Sequence, residues 1–309
     1  MKAEAVKVEA ADSGSIAEQP VRASRLLSDL SVLAKPRITT MVVLTAGMGF
    51  LLAERGPISF WLLVHTLIGT GLVSAGASAL NQVLERERDG RMRRTVDRPV
   101  PSGRMHPDAA LLWGVALGIA GLGYLAIRVN LLTALLGVAA LVGYVFIYTP
   151  LKPITSLSTI IGAVPGAIPP MMGWAAVRDQ VDLPAWVLFG ILFFWQMPHF
   201  LAIAWLCRDD YRSGGFPMLT VTDPTGTQAA RQAILYGAAL VPVSLLPTPL
   251  KLLGPVYFWA ALALGIAYLA ASLKFGREKT DASARRLMFA SILYLPALLG
   301  VMLVDRMLF

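Results

Sequence analysis

The residues best suited to chemistry lie in one stretch, Asn81 to Gly103, which reads NQVLERERDGRMRRTVDRPVPSG. Asn81, Glu85 and Asp89 stand four residues apart, a spacing that stacks side chains along one face of an α-helix. Seven arginines, from Arg86 to Arg104, crowd around them. A row of hard oxygen ligands suits Mg²⁺, which is held by one or two carboxylates together with substrate phosphates. Arginines beside such a row suit the phosphates themselves. The stretch therefore reads as a metal–diphosphate site, with Glu87 pointing away from the row. The competing reading is an interfacial loop whose arginines only set membrane orientation.

Three other groups could join this chemistry. Tyr148 and Lys152 form an i, i+4 pair in the run YTPLK. A lysine on phosphate oxygens and a phenol beside an allylic diphosphate suit an ionisation reaction; an interfacial tyrosine and a snorkelling lysine are the alternative. Asp209 and Asp210, in CRDDYR, offer a second acidic site. Adjacent residues do not share a helix face, and Asp210 is the expected ligand because it falls about three turns after His199 on nearly the same face. The alternative is a helix cap or a surface acid beside Arg208 and Arg212. His199 itself, in WQMPHF, lies inside an apolar segment, where an ionisable residue marks a functional candidate. An axial ligand to haem iron, a proton carrier and a hydrogen-bonded structural residue all remain open for it.

The elements that must position these residues are apolar. The chain has 309 residues, 56% hydrophobic and only 15% charged, with a mean hydropathy of +0.64. This composition describes an all-α, polytopic membrane protein rather than a soluble domain, which would carry about 25% charged residues. The lone Cys207 excludes an intramolecular disulfide and a multi-cysteine metal site. The histidines, His65, His106 and His199, are too few for a dedicated histidine centre. The net charge of +8 is a topology signal and does not indicate a nucleic-acid partner.

Nine apolar segments follow a polar tail: Ile38–Ala53, Ile58–Leu84, Ala109–Ile127, Leu131–Thr149, Ile154–Val177, Leu183–Cys207, Ala233–Leu250, Leu252–Leu273 and Leu287–Val304. Most are near the roughly 20 residues that span a bilayer. The tail, residues 1–34, lacks an apolar signal region and carries too many acids for a mitochondrial transit peptide. It is expected to be a cytoplasmic segment, disordered for the most part, with a surface helix near Val21 to Ala34. Residues 35–309 form the nine-helix membrane domain. With the N-terminus inside, every basic residue of the 27 except Arg55, Arg128, Arg178, Lys251 and Arg306 falls on the inner side. The positive-inside rule thus predicts a cytoplasmic N-terminus and an external C-terminus. The polar chemistry then gathers on the inner face, which argues against a transport path. Pro198 is expected to kink the sixth segment, and the Gly/Pro-rich run Ile161–Trp174 to break the fifth and pack closely.

Four runs together resemble the UbiA-type membrane prenyltransferases, and within them most closely the protohaem IX farnesyltransferase branch. They are Asn81–Gly103, Tyr148–Lys152, Ile160–Trp174 and Trp195–Tyr211. The elements at Met92–Pro99 and WQMPH separate this branch from the quinone and chlorophyll prenyltransferases. The resemblance covers roughly residue 35 to the end. It implies nine transmembrane helices around a central cavity in a cell inner membrane. It also implies Mg²⁺ and transfer of a farnesyl group from farnesyl diphosphate to the 2-vinyl group of haem B, supplying terminal oxidases. Haem A synthase or oxidase assembly proteins would be partners. By position, Asn81, Glu85, Asp89 and Asp210 would be metal ligands, and Tyr148, Lys152 and Asp89 catalytic. Arg91, Arg94, Arg98 and Lys152 would take the diphosphate, and His199 is the candidate haem ligand. Glu85 and Glu87 stand where the family usually has Asp, and Leu206 where the second motif usually has another acid. The competing functions are a quinone-type aromatic prenyltransferase and a non-catalytic haem-binding assembly factor.

Overall fold

The computed structural model describes residues 18–308, with side chains from residue 25 onward. The disorder expected of the tail falls on residues 1–17, outside the described residues. The described residues are helical, with no strand. The tail helix, α1, runs Glu18–Ala34, three residues longer than the sequence suggested. It is docked: Leu33 is fully buried against Ala79, Val83, Val100 and Met105, and Gln82 Nε2 donates to Leu33 O at 2.9 Å.

Nine helical rods follow: α2 Pro36–Ala53, α3 Phe60–Leu84, α4 Pro107–Arg128, α5 Leu131–Leu151, α6 Ser158–Arg178, α7 Leu183–Leu206, α8 Thr227–Leu245, α9 Pro255–Glu278 and α10 Asp281–Leu308. All but α8 are long and apolar enough to cross a membrane. α8 has 19 residues, but Gln228, Arg231 and Gln232 occupy its first turns and shorten its apolar part. The seventh expected segment also ran too far: the helix ends at Leu245, and the chain turns through Lys251, at φ 57°, before α9.

Local chemistry sets the ends. Pro36, Pro107 and Pro255 sit in first turns, where their missing N–H costs nothing. Asn130 caps α5 by accepting from Thr133 N–H at 2.8 Å. The Asp305 carboxylate reaches from α10 to the start of α9, where it accepts from the N–H groups of Gly254 and of Tyr257, the latter at 2.9 Å. α6 is broken at Ile168, immediately before Pro169 and Pro170, as expected. α7 continues through Pro198.

Successive rods pack side by side, and α10 closes the ring against α7 and α2. Two apolar cores fill it. One joins α3, α4, α5 and α6 through Val73, Leu80, Leu125, Leu141 and Met172. The larger one joins α6 to α10 through Trp174, Ile191, Tyr257, Tyr268 and Leu298. A narrow apolar cleft lined by Thr45, Met48, Pro170, Leu192, Leu295 and Met302 lies among α2, α6, α7 and α10.

Candidate active site

The row of oxygen ligands begins in the last turn of α3. That helix ends at Leu84, Glu85 is a junction at φ −90°, ψ 1°, and a short helix Arg86–Asp89 follows. The i→i−4 pattern survives the junction. Glu85 N–H donates to Asn81 O at 2.9 Å, and Asp89 N–H to Glu85 O at 2.8 Å. The three side chains therefore share a face although the helix is interrupted, and all are buried, at 2, 5 and 1% exposure. Glu87 points out to solvent beside Arg86, as expected.

Each member of the row holds one basic side chain. Lys35 Nζ donates to Asn81 Oδ1 at 2.9 Å. Lys152 Nζ donates to both Glu85 carboxylate oxygens, at 2.9 and 3.0 Å. Arg98 Nη1 donates to Asp89 Oδ2 at 2.5 Å. The Asn81 amide is oriented from its other side, donating to Thr149 Oγ1 at 3.1 Å. Three cations thus meet two carboxylates, leaving the pocket short of negative charge. Burial first, then the charge of Arg98, pull the Lys35 ammonium down from its usual range to about 7. Lys35 sits at φ 47° between α1 and α2, a left-handed turn that is uncommon for a side chain of its size and that delivers the amine to the row.

Tyr148 and Lys152 come together as their spacing implied. Gly143–Tyr148 is a π-helical turn at the end of α5, a feature frequent at functional sites. Lys152 N–H donates to Tyr148 O at 2.9 Å, and its ammonium lies 5.8 Å from the Tyr148 ring centre. After α7 a short helix, Arg208–Ser213, brings Asp210 Oδ1 to the Arg93 N–H at 3.3 Å. Asp209 instead faces solvent, paired with Arg212, so Asp210 is the acid on the site's side.

The arginines divide. Arg98 enters the row. Arg94 lies over the Tyr211 ring at 5.0 Å, at the rim. Arg91 is exposed and, among the described residues, makes no hydrogen bond to Asn81, Glu85 or Asp89. Arg88, not singled out by spacing, donates to Gly214 O and Gly215 O at 3.1 and 2.9 Å. Lys35, Thr149 and Phe216 were also missed. The sequence signal nearest to Lys35 is its place just before Pro36, at a helix mouth. For Phe216 it is the Gly214–Gly215 turn following CRDDYR.

His199 is elsewhere. It sits about 10 Å before the end of α7, stacked on Trp195 at 5.5 Å. Its Nδ1 is 2.6 Å from Ser291 Oγ on α10. That bond occupies one ring nitrogen and orients the other.

The row suits a hard divalent cation. Among the described residues, no three His, Cys, Asp or Glu side chains converge into a closed metal cage. The donors are instead an amide and two carboxylates, and Asp89 Oδ1 is buried without a hydrogen-bond partner. Such a partial oxygen set is what Mg²⁺ accepts when phosphates complete its shell.

Known proteins resemble this chain along almost its whole length. The UbiA prenyltransferase family matches residues 42–293. The protoheme IX farnesyltransferase of Solibacter usitatus (strain Ellin6076) is 45% identical over 290 residues, spanning 91% of this chain and 99% of that one. The mitochondrial protoheme IX farnesyltransferase of Arabidopsis thaliana is 38% identical over 275 residues, spanning 89% and 64%. In fold, the chain is similar to a digeranylgeranylglyceryl phosphate synthase, with a TM-score of 0.77 at 17% identity over 92% of this chain and 99% of that one. It is also similar to a UbiA homolog from Archaeoglobus fulgidus bound to GPP and Mg²⁺, with a TM-score of 0.68 at 17% identity over 89% and 99%. With eight apolar helices of spanning length and a family match over most of its residues, this multi-pass membrane protein belongs to the UbiA prenyltransferase family.

Proposed function

We propose that this chain transfers the farnesyl group of farnesyl diphosphate to the 2-vinyl group of haem B, releasing diphosphate and giving haem O. The observation that carries the donor half is the buried row Asn81–Glu85–Asp89, each member holding one cation. The acceptor half is supported by the relatives named protoheme IX farnesyltransferase.

Asn81, Glu85 and Asp89 would hold Mg²⁺, with Asp210 as a further acid, and the metal when bound neutralises charge on the leaving diphosphate. The residues of the chain do the rest. As the C1–O bond breaks, its electron pair leaves on the diphosphate. Lys152, Arg98 and Lys35 turn from the row to stabilise that charge, more strongly in the transition state than in the bound ester. Arg94 closes the rim, and Arg91 meets the diphosphate from the outer edge of the same loop. C1 then bonds the terminal vinyl carbon, and the cation left beside the porphyrin takes up water and loses a proton. The balance is one water consumed, with one diphosphate and one proton released. Tyr148 faces the ionising carbon. His199, with Nδ1 held by Ser291, presents its other nitrogen as the axial ligand to haem iron. The site opens to the cytoplasm at a cell inner membrane, and the product passes to haem A synthase or oxidase assembly proteins.

The test supplies the purified chain with farnesyl diphosphate, haem B and Mg²⁺ and follows the haem by mass spectrometry. A haem gaining the mass of farnesyl plus hydroxyl is expected. Asp89→Asn should abolish it while the protein still folds in the membrane, and His199→Ala should alter the haem B spectrum. Haem binding without any product would favour an assembly factor. Farnesylation of a quinone precursor instead of haem would favour the quinone-type reading.

A further inference from the structure

We propose that Phe216, joined by Tyr211 and Tyr148, forms the wall that stabilises the allylic carbocation during farnesyl transfer. This rests on the farnesyl diphosphate reading above and assigns a role to a residue outside every polar motif in the chain.

Phe216 lies in the connection between α7 and α8, where an aromatic ring would ordinarily face solvent or lipid headgroups. It is instead only 1% exposed, packed with Met92 and Met218. Its ring centre is 4.5 Å from Lys152 Nζ, and those of Tyr148 and Tyr211 are 5.8 and 6.0 Å from the same atom. Two segments far apart in sequence thus place three aromatic rings around one ammonium. A cation within about 6 Å of a ring centre is attracted by the ring's quadrupole, most strongly where water is excluded. Lys152 here marks a place built to hold positive charge.

That place adjoins the leaving group. Lys152 bonds Glu85, and when it turns to the diphosphate it vacates the three ring faces beside the breaking C1–O bond. The electron pair departs on oxygen, the allylic carbons of the farnesyl group take the positive charge, and the rings that faced an ammonium face a carbocation. The connection is held for this purpose by Arg88, whose Nη1 grips Gly214 O and Gly215 O. Gly215 is at φ 69°, and a Cβ there would come 2.9 Å from Arg88 Nη1. The turn therefore requires glycine, and Arg88 acts as a positioning residue for Phe216.

The experiment replaces Phe216 in the full-length protein with mono-, di- and trifluorinated phenylalanines, which keep its shape and weaken its quadrupole. Diphosphate release from farnesyl diphosphate is measured with haem B present. The expected result is a stepwise fall in kcat, reaching about thirtyfold across the series, with KM for farnesyl diphosphate unchanged within about twofold. Phe216→Leu, which has no ring quadrupole, should fall at least as far as the trifluoro form. A flat series in an active protein overturns the proposal and leaves the function standing. A wild-type protein that never releases diphosphate from farnesyl diphosphate overturns the function first, and the role of Phe216 with it.

Discussion

At the scale of single residues, the Lys152–Glu85 pair dominates the site. Both side chains are nearly inaccessible, at 9 and 5% exposure. Removing one partner leaves the other as an uncompensated buried charge, a loss of about 3–5 kcal/mol, whereas removing both charges together is far milder. Lys152→Met alone should therefore lower the melting temperature in detergent sharply, and Glu85→Gln/Lys152→Met should recover most of it. Neither should turn over. Melting of Lys152→Met at the wild-type temperature would mean that Glu85 finds another cation, with Lys35 and Arg98 the nearest. The i, i+4 spacing made Asn81, Glu85, Asp89, Tyr148 and Lys152 legible, because backbone geometry alone aligns them. It could not rank the arginines. Arg91 to Arg104 run through turns where spacing sets no common face, and the hold of Arg88 on the Gly214–Gly215 turn was not legible.

At the scale of elements, the seam between α2 and α6 sets how tightly the bundle closes. A Cβ at Gly173 would lie 1.8 Å from Ala46 O, and one at Gly49 would lie 2.0 Å from Pro170 O. Both obstacles are backbone, which cannot swing aside. The expectation that the small residues of Ile161–Trp174 serve close packing is what the structure bears out, and the half of α6 after the break at Ile168 is the part packed on α2. Gly173→Ala should destabilise the protein by about 1–3 kcal/mol through overpacking. Gly123→Ala, on α4 with nothing within 4 Å, should melt at or slightly above wild type. Equal melting of the two variants would show that the seam yields.

At the scale of the whole molecule, the orientation of the bundle decides which compartment the buried oxygen row faces. The same end carries Lys35, the arginine loop, Lys152 and the connection after α7. In a Cys207→Ser background, a cysteine at the exposed Ser102 should react with a membrane-impermeant thiol reagent only in inside-out vesicles. One at the exposed Gly56 should react only in right-side-out vesicles. Labelling of both from the same side would refute the nine-crossing path. The succession of rods was readable because hydropathy is a sum over long segments, and such sums tolerate local error. α8 shows the limit: its polar first turns hid its true start, so the expected segment begins at Ala233 whereas the helix runs Thr227–Leu245.

The sequence by itself determined the class of protein, the count and order of the helices, the oxygen row, and the Tyr148–Lys152 pair. All of these follow from local spacing and summed hydropathy. The tertiary structure decided which cation meets which oxygen. It brought Lys35 to Asn81, Lys152 to Glu85 and Arg98 to Asp89, placed Phe216 beneath the lysine, and left His199 on Ser291. Those pairings join residues from separate segments, and their partners are chosen by how the helices pack and how the connecting turns run.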